Sequence, residues 1–370
     1  MMKRLGYYIF AGFFCLFRIL PLQKKKVFMI ATHDDSEEGN IGLVAEGIRK
    51  KRPEYKIVYL TKKDGIHRPF AFFFQKAYHM ATAGTICLDN VFMPMAYTPI
   101  SKRAKVIQLW HGTGTIKKFG QDSDVGEVAE ISKKGNRRIT HLIVNSEKTK
   151  KQYAGAFGVP EERVYILGLP RTDLILNHEK IQEKREEFYR QYPGIKGKKI
   201  TLYAPTFRDS EVDSPHIALD FASLAKVMEE DEVLCLRLHP YVADRVPEEL
   251  FRKYKGKIEN MSGYSGVTTL LAVADCLITD YSSIIYEYCL FQKPMIFYAY
   301  DLEQFKQDGR SFYEDYESLV PGPVVTSQQE LEEIWQKRME LGKEIPEFIR
   351  ENFFYQDKNS VNRLLELIFG

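Results

Sequence analysis

The sequence predicts an α/β fold of two Rossmann-like domains, each a parallel sheet wrapped by helices, facing a central cleft. Three observations carry this. Short β-branched and aromatic runs alternate with helix-spaced stretches along most of the chain. The alternation lapses once, near residue 175, and then starts again. The length, 370 residues, suits two domains at roughly 100–200 residues each.

The elements follow in order. Between Arg4 and Lys24 lies an apolar, aromatic segment whose uninterrupted part, Leu5 to Phe17, is 13 residues, short of the ~20 needed to span a bilayer. No small-residue cleavage site follows it. Flanking Lys and Arg favour a membrane-associating helix over residues 1–25, lying on an anionic leaflet. A core helix is the second reading and a membrane span the third. The first domain, residues 26–175, contains the strand-like runs Val27–Ala31, Ile57–Leu60, Thr85–Leu88, Val106–Trp110, His141–Val144 and Val164–Leu167. Helical spacing marks Ile41–Lys51, and Phe70–Met80 reads as a buried helix. The charged helix Glu179–Tyr192 opens the second domain, residues 176–345. Its strands are Lys199–Tyr203, Val233–Leu238, Cys276–Thr279 and Met295–Tyr298, with helices Phe221–Glu229 and Ile284–Phe291 between them. Residues 346–370 read as C-terminal helices that pack back on the first domain.

Composition narrows the function classes. Apolar residues are 44% and charged residues 28%, which excludes a disordered chain and a polytopic membrane protein. The net charge is +3, yet residues 1–30 hold six basic side chains and no acid, leaving 47 basic against 50 acidic in the rest. The body is therefore no nucleic-acid binder. Five scattered cysteines show no CxxC or Cys/His spacing, so neither a disulfide framework nor a zinc site is expected, and three of them sit in apolar runs as buried thiols.

Four motifs fall at the carboxyl ends of predicted strands, where open α/β sheets bind ligands. Trp110-His111-Gly112-Thr113-Gly114-Thr115 leads into Lys117 and Lys118. Here a strand, a Gly-rich turn and two cations coincide, which raises His111 from a turn residue to a candidate general base. In Tyr203 to Asp209, Pro205 ends the strand and Arg208 offers a bidentate fork for phosphate, although an Arg208–Asp209 surface turn fits the spacing equally. In Arg237-Leu238-His239-Pro240, strand alternation sends Arg237 and His239 to one face as an anion site, or as a core polar pair. Thr279-Asp280-Tyr281-Ser282-Ser283 joins a strand to a helix. A serine there caps the helix, and its N-terminus can hold a phosphate. Glu287, one turn on, either takes ribose hydroxyls or faces solvent. His33 with Asp34 and Asp35 reads as a solvated loop first, and as an ion or acceptor-hydroxyl site second.

Together these motifs resemble the CDP-glycerol glycerophosphotransferase family of teichoic acid synthesis in Gram-positive bacteria. The likeness runs from about residue 85 to 320, through Gln108–Gly120, Leu202–Asp209, Leu238-His239-Pro240, Ile278–Ser283 and Lys293–Leu302. It implies a GT-B fold. It also implies transfer of glycerol phosphate from CDP-glycerol to a hydroxyl of an undecaprenyl-diphosphate-linked N-acetylmannosaminyl–N-acetylglucosamine acceptor, with release of CMP. The length and the N-terminal segment look like those of a priming enzyme. A chain-extending glycerol- or ribitol-phosphate transferase and a nucleotide-sugar GT-B glycosyltransferase are the alternatives. In this reading His111 and His239 are catalytic. Arg208, Thr206, Arg237, Thr279, Asp280, Ser282, Ser283 and Glu287 hold the donor. Gly112, Thr113, Lys117, Lys118, His33 and Asp34 meet the acceptor. No metal or other cofactor is expected. The partners are the two substrates and a membrane surface, with a homo-oligomer compatible, at the cytoplasmic face of the membrane.

Overall fold

The computed structural model describes residues 2–67, 69–208, 217–307 and 311–370. Asp209, the end of the second motif, lies outside the described residues. The chain forms two compact units, one of residues 1–174 with 352–370, the other of residues 175–351.

The first unit holds β1 (Gln23–Ala31), β2 (Lys56–Thr61), β3 (Ala83–Leu88), β4 (Lys105–Gln108), β5 (His141–Val144) and β6 (Val164–Ile166). They form one sheet in the order β2-β1-β3-β4-β5-β6, all parallel. Val27–Ala31 and Ile86–Leu88 are buried on both faces, as runs in a doubly covered parallel sheet must be. Local signals set the helix ends. The Ser146 hydroxyl accepts from the Thr149 N–H to start helix Glu147–Phe157, and Gly158, at φ 63°, ends it in the left-handed region.

The N-terminal helix is Met2–Phe17. Phe10 and Phe14 are fully buried in a core shared with Phe28, Ile30, Met80 and Val106, whereas Leu5, Tyr8, Ile9 and Leu16 are exposed. The core reading thus holds for one face of the helix, and the other face is left exposed. The basic run Lys24–Lys26 is not a flexible tether. It belongs to β1, and Lys26 is buried, donating to the Thr82 hydroxyl at 2.6 Å beneath the Tyr78 ring. Among the described residues, no helix is long and apolar enough to cross a membrane. The expected buried helix at 70–80 is a π-helical turn, Ala71–Lys76, leading into helix Ala77–Thr82. Phe70 at its start is exposed. Four phenylalanines within five positions, Phe70 and Phe72–Phe74, do not fit a single buried stripe. The final helix, Ser360–Phe369, lies against helix Asn40–Lys51 of this unit. The Asp173 carboxylate accepts from the Ser360 and Val361 N–H groups at its start.

The second unit holds β7 (Lys199–Tyr203), β8 (Glu232–Leu236), β9 (Ile258–Asn260), β10 (Cys276–Thr279), β11 (Met295–Tyr298) and β12 (Val324–Val325), ordered β12-β11-β10-β7-β8-β9 and parallel. Helix Gln328–Trp335 opens with a capping box of Ser327 and Glu330. Trp335 and Arg338 are buried under the sheet. Arg338 donates to Glu232 at 2.5 Å and to the Thr201 hydroxyl at 3.0 Å, and Trp335 Nε1 donates to the other Glu232 oxygen at 2.8 Å.

The expected helix Ile284–Phe291 is shorter than the spacing suggests. One α-turn, Ile285–Tyr288, passes into a 3₁₀ turn, Cys289–Phe291, and Gln292 then turns left-handed at φ 55°. β-branched and aromatic residues here have weak helix propensity, so little dipole accumulates at its start.

Candidate active site

Each sheet has a switch point, where the strand order reverses. In the first it lies between β1 and β3, in the second between β7 and β10. The loops leaving these strands carry His33, Asp34, Thr206, Arg208, Ser282 and Ser283, and the neighbouring strands β4 and β8 lead into His111 and His239.

In the first unit the organising group is Asp89, directly after β3. Its buried carboxylate accepts the N–H groups of Thr32, His33 and Asp34, at 3.0, 3.1 and 2.9 Å, and so shapes the loop after β1. Burial raises the Asp89 pKa, with these backbone bonds opposing. The Asp89 carbonyl also accepts from His111 Nδ1 at 3.1 Å. A carbonyl can only accept, so Nδ1 carries the proton and Nε2 presents its lone pair. The His111 ring is sandwiched, stacked on His33 at 3.7 Å between centroids and against Trp110 at 3.9 Å. Burial, then the neighbouring His33, push its pKa down to about 3, so the imidazole is neutral at physiological pH.

Five further side chains hold this frame. Gln108 accepts the Trp110 N–H at 2.8 Å, and Trp110 takes the left-handed φ of 58° that turns His111 back toward β3. For a bulky residue this conformation is strained. Asn40 donates to the Trp110 carbonyl and accepts from the Arg171 N–H. Arg171 pairs with Asp34 at 2.5 Å. The Gly112 carbonyl accepts from the Tyr153 hydroxyl and the Thr113 carbonyl from Asn145. Thr113 is buried, with its carbonyl held by Asn145. Lys117 and Lys118 are half-buried.

In the second unit the buried Asp280 plays the matching part. One carboxylate oxygen accepts from the Thr206 and Tyr281 N–H groups at 2.8 and 2.6 Å, and the other from Arg208 at 2.8 Å. Arg208 also clasps Asp301 through Nε and Nη2 at 2.8 and 2.9 Å and donates to the Thr206 carbonyl. Four of its five N–H groups are thus committed, and two carboxylates neutralise it. Arg208 braces the loops after β7, β10 and β11, which departs from the expected phosphate fork. Arg237 departs similarly. Its guanidinium points to the carbonyls of Met261, Ser262 and Tyr264 and not to a shared anion site with His239. Thr279 spends its hydroxyl on the Ala204 carbonyl. The groups left facing outward are His239, stacked on Phe207 at 4.3 Å, the half-buried Ser282, whose hydroxyl accepts from the Ile284 N–H, and the exposed Ser283. Thr206 Oγ1 is buried without a hydrogen-bond partner, an orphan that marks room for a ligand oxygen. It lines a small pocket with Phe207, His239 and Tyr300. Glu287 is buried, which removes the solvent-facing reading.

The sequence reading missed Asp89, Asn40, Asn145 and Arg171. Asp89 follows a strand as His111 does, which was the available signal. The other three lie at helix starts and carry no motif.

Residues 12–370 match the family described as CDP-glycerol:poly(glycerophosphate) glycerophosphotransferase. The chain belongs to this transferase family. It is 32% identical to the teichoic acid poly(ribitol-phosphate) polymerase of Bacillus spizizenii over 99% of this chain, and spans about 60% of that relative's length. It is 33% identical to the teichoic acid ribitol-phosphate primase of the same organism, covering 95% of this chain and 92% of the primase. Among solved structures, the wall teichoic acid polymerase TagF, in a variant soaked with CDPG, superposes with a TM-score of 0.85 at 22% identity, over 99% of this chain and 94% of that one. The fold is thus the GT-B type, with two parallel six-stranded sheets.

Proposed function

We propose that the chain transfers glycerol phosphate from CDP-glycerol to a hydroxyl of a lipid-linked teichoic acid acceptor, releasing CMP. The priming acceptor, the undecaprenyl-diphosphate disaccharide, is the first candidate. The observation that supports this best is His111, a neutral imidazole whose Nδ1–H is occupied by the Asp89 carbonyl and whose Nε2 is free to accept. In this reading Nε2 takes the acceptor proton as the acceptor oxygen forms its bond to the glycerol-bearing phosphorus. The bond from that phosphorus to the bridging oxygen breaks, and CMP carries the electron pair away. Such transfer is mostly positioning and charge stabilisation. The approaching pyrophosphate, being anionic, raises the His111 pKa toward a useful basicity. In the second unit Thr206, His239, Ser282 and Ser283 would hold the donor oxygens, while Arg208 and Asp280 keep the loops in place. Membrane contact through the N-terminal helix would bring the enzyme to its lipid acceptor at the cytoplasmic face.

A ribitol-phosphate reading has its own support, since both relatives above carry ribitol in their names. CMP release from CDP-glycerol and CDP-ribitol, each with the disaccharide lipid and with the glycerol-primed lipid, separates the two. Release from CDP-glycerol on the unprimed lipid is expected. Release only from CDP-ribitol on the primed lipid transfers the assignment to the second reading. Turnover of a UDP-sugar with both CDP-alditols inert rejects both.

A further inference from the structure

The end of the first sheet opposite His111 holds a second cavity, of about 810 Å³. It opens at the amino ends of β1, β3 and β4, where Lys24, Gly84 and Lys105 line it. Along β1 the rise is about 3.3 Å per residue, which puts Lys24 roughly 30 Å from His33. This cavity is therefore no part of the candidate active site.

Its lining has two halves. One is cationic: Arg18, Lys24, Lys102, Arg103 and Lys105, with no acidic side chain among the described lining residues. Lys105 is committed to the carbonyls of Leu367 and Ile368, while Arg18, Lys24, Lys102 and Arg103 are exposed. The other half is apolar. Ile19 and Leu20 are 84% and 42% exposed, and Phe369 completes the wall. The cavity lies at the C-terminal end of the N-terminal helix, whose outer face carries the exposed Leu16, Ile9, Tyr8 and Leu5.

We infer that this cavity binds the phosphate headgroup of an anionic glycerophospholipid, with the first acyl carbons against Ile19 and Leu20. Clustered cations at the mouth of an apolar cavity match a phosphodiester joined to a hydrocarbon chain, which free phosphate or a neutral lipid matches only in half. The helix beside it supplies the apolar strip that lies among the neighbouring lipids. This deepens the membrane contact proposed above and rests on it, yet it concerns binding alone and requires no particular donor or acceptor.

The test uses the full chain with vesicles of phosphatidylcholine, with or without phosphatidylglycerol. Sedimentation with the anionic vesicles only is expected. Lys24→Gln, Lys102→Gln and Arg103→Gln combined should lower partition on the order of a hundredfold, at about fivefold per near-surface cation. Lys226→Gln, Lys255→Gln and Lys337→Gln combined remove the same charge from exposed sites on the second unit and should leave partition unchanged. Cys15 lines the cavity and is the one exposed cysteine, so a maleimide dye can be placed there. Its emission should shift to the blue with short-chain phosphatidylglycerol and not with inorganic phosphate. Equal loss in the two triple variants would reduce the cavity to diffuse surface charge and overturn the inference. So would a dye response to inorganic phosphate equal to that with lipid, or no partition of the parent chain. None of these readouts measures CMP release, so failure of the transfer reading leaves them interpretable.

Discussion

His111 was legible as a residue because a strand, a Gly-rich turn and two lysines surround it in sequence. What sets its tautomer and charge was not legible. Its tautomer depends on the carbonyl of Asp89, 22 residues earlier, and its neutral state on burial first and the neighbouring His33 second. Arg208 and Arg237 show the opposite error. A guanidinium beside a strand end looks like a phosphate ligand until its carboxylate and carbonyl partners, as far as 93 residues away, are known. His111→Ala should lower the transfer rate by about 10²–10⁴-fold while leaving CDP-glycerol affinity largely intact. Single-turnover kinetics with calorimetric donor titration checks both, and near-normal turnover would take His111 out of the mechanism. Asp89→Asn should act on the loop. An amide keeps one acceptor oxygen but sets an NH2 donor against an N–H where an acceptor is needed, so stability should fall by about 1–3 kcal/mol, measurable by urea titration. Thr206→Val keeps the side-chain shape and removes the orphan hydroxyl. It should weaken donor binding with stability unchanged; unchanged affinity would mean that the hydroxyl meets no ligand.

Elements were legible where their hydrophobic runs were long. Strands β5, β7, β10 and β11 match the sequence reading residue for residue, because a compact run of apolar and β-branched side chains leaves little choice. β9 and β12 were missed. They have three and two residues at the two edges of the second sheet, too short to show a period. The N-terminal helix was ambiguous because it is apolar on both faces, one facing the core and the other left outside. The pairing of Glu232 with Arg338 was invisible, spanning 106 residues. Arg338→Ala leaves a buried carboxylate without its cation and should destabilise the second unit by about 3–5 kcal/mol. Glu232→Leu with Arg338→Met should recover most of that loss. Chemical denaturation of the single and double variants measures the coupling; a double variant as unstable as Arg338→Ala would show that packing on Trp335, not charge, is what Arg338 supplies.

At the scale of the whole molecule, the two units should respond differently to acid. His33, His79, His111 and His141 all belong to the first unit, and all have lowered pKa values, chiefly from burial. His79 and His111 are pushed down to about 4 and about 3. Once unfolded, these side chains titrate near 6.5. Below that pH the unfolded chain binds protons that the folded unit refuses, so stability is complete above about 6.5 and is lost as pH falls toward 4. Each such histidine weakens the unit by at most about tenfold per pH unit in that window. Lys26, lowered to about 8, is protonated in both states here and adds no slope. Asp89 and Asp173, whose pKa values are raised by burial, take up protons in the folded unit before they do in the unfolded chain and so oppose the trend in the lower part of the window. In the second unit, the Glu232 pKa is lowered because its bonds to Trp335 and Arg338 outweigh burial, so that contribution is lost only below about 4.5. Between pH 6.5 and 4.5 the first unit should therefore loosen while the second holds. Peptide-resolved hydrogen exchange across that range, corrected for the intrinsic pH dependence, reads the two separately. Protection in β1, β3 and β5 should fall before that in β7, β10 and β11. Equal loss in both sheets would show that the units unfold as one cooperative body, and loss in the second sheet first would show that its buried carboxylate, not the histidines, sets the acid limit.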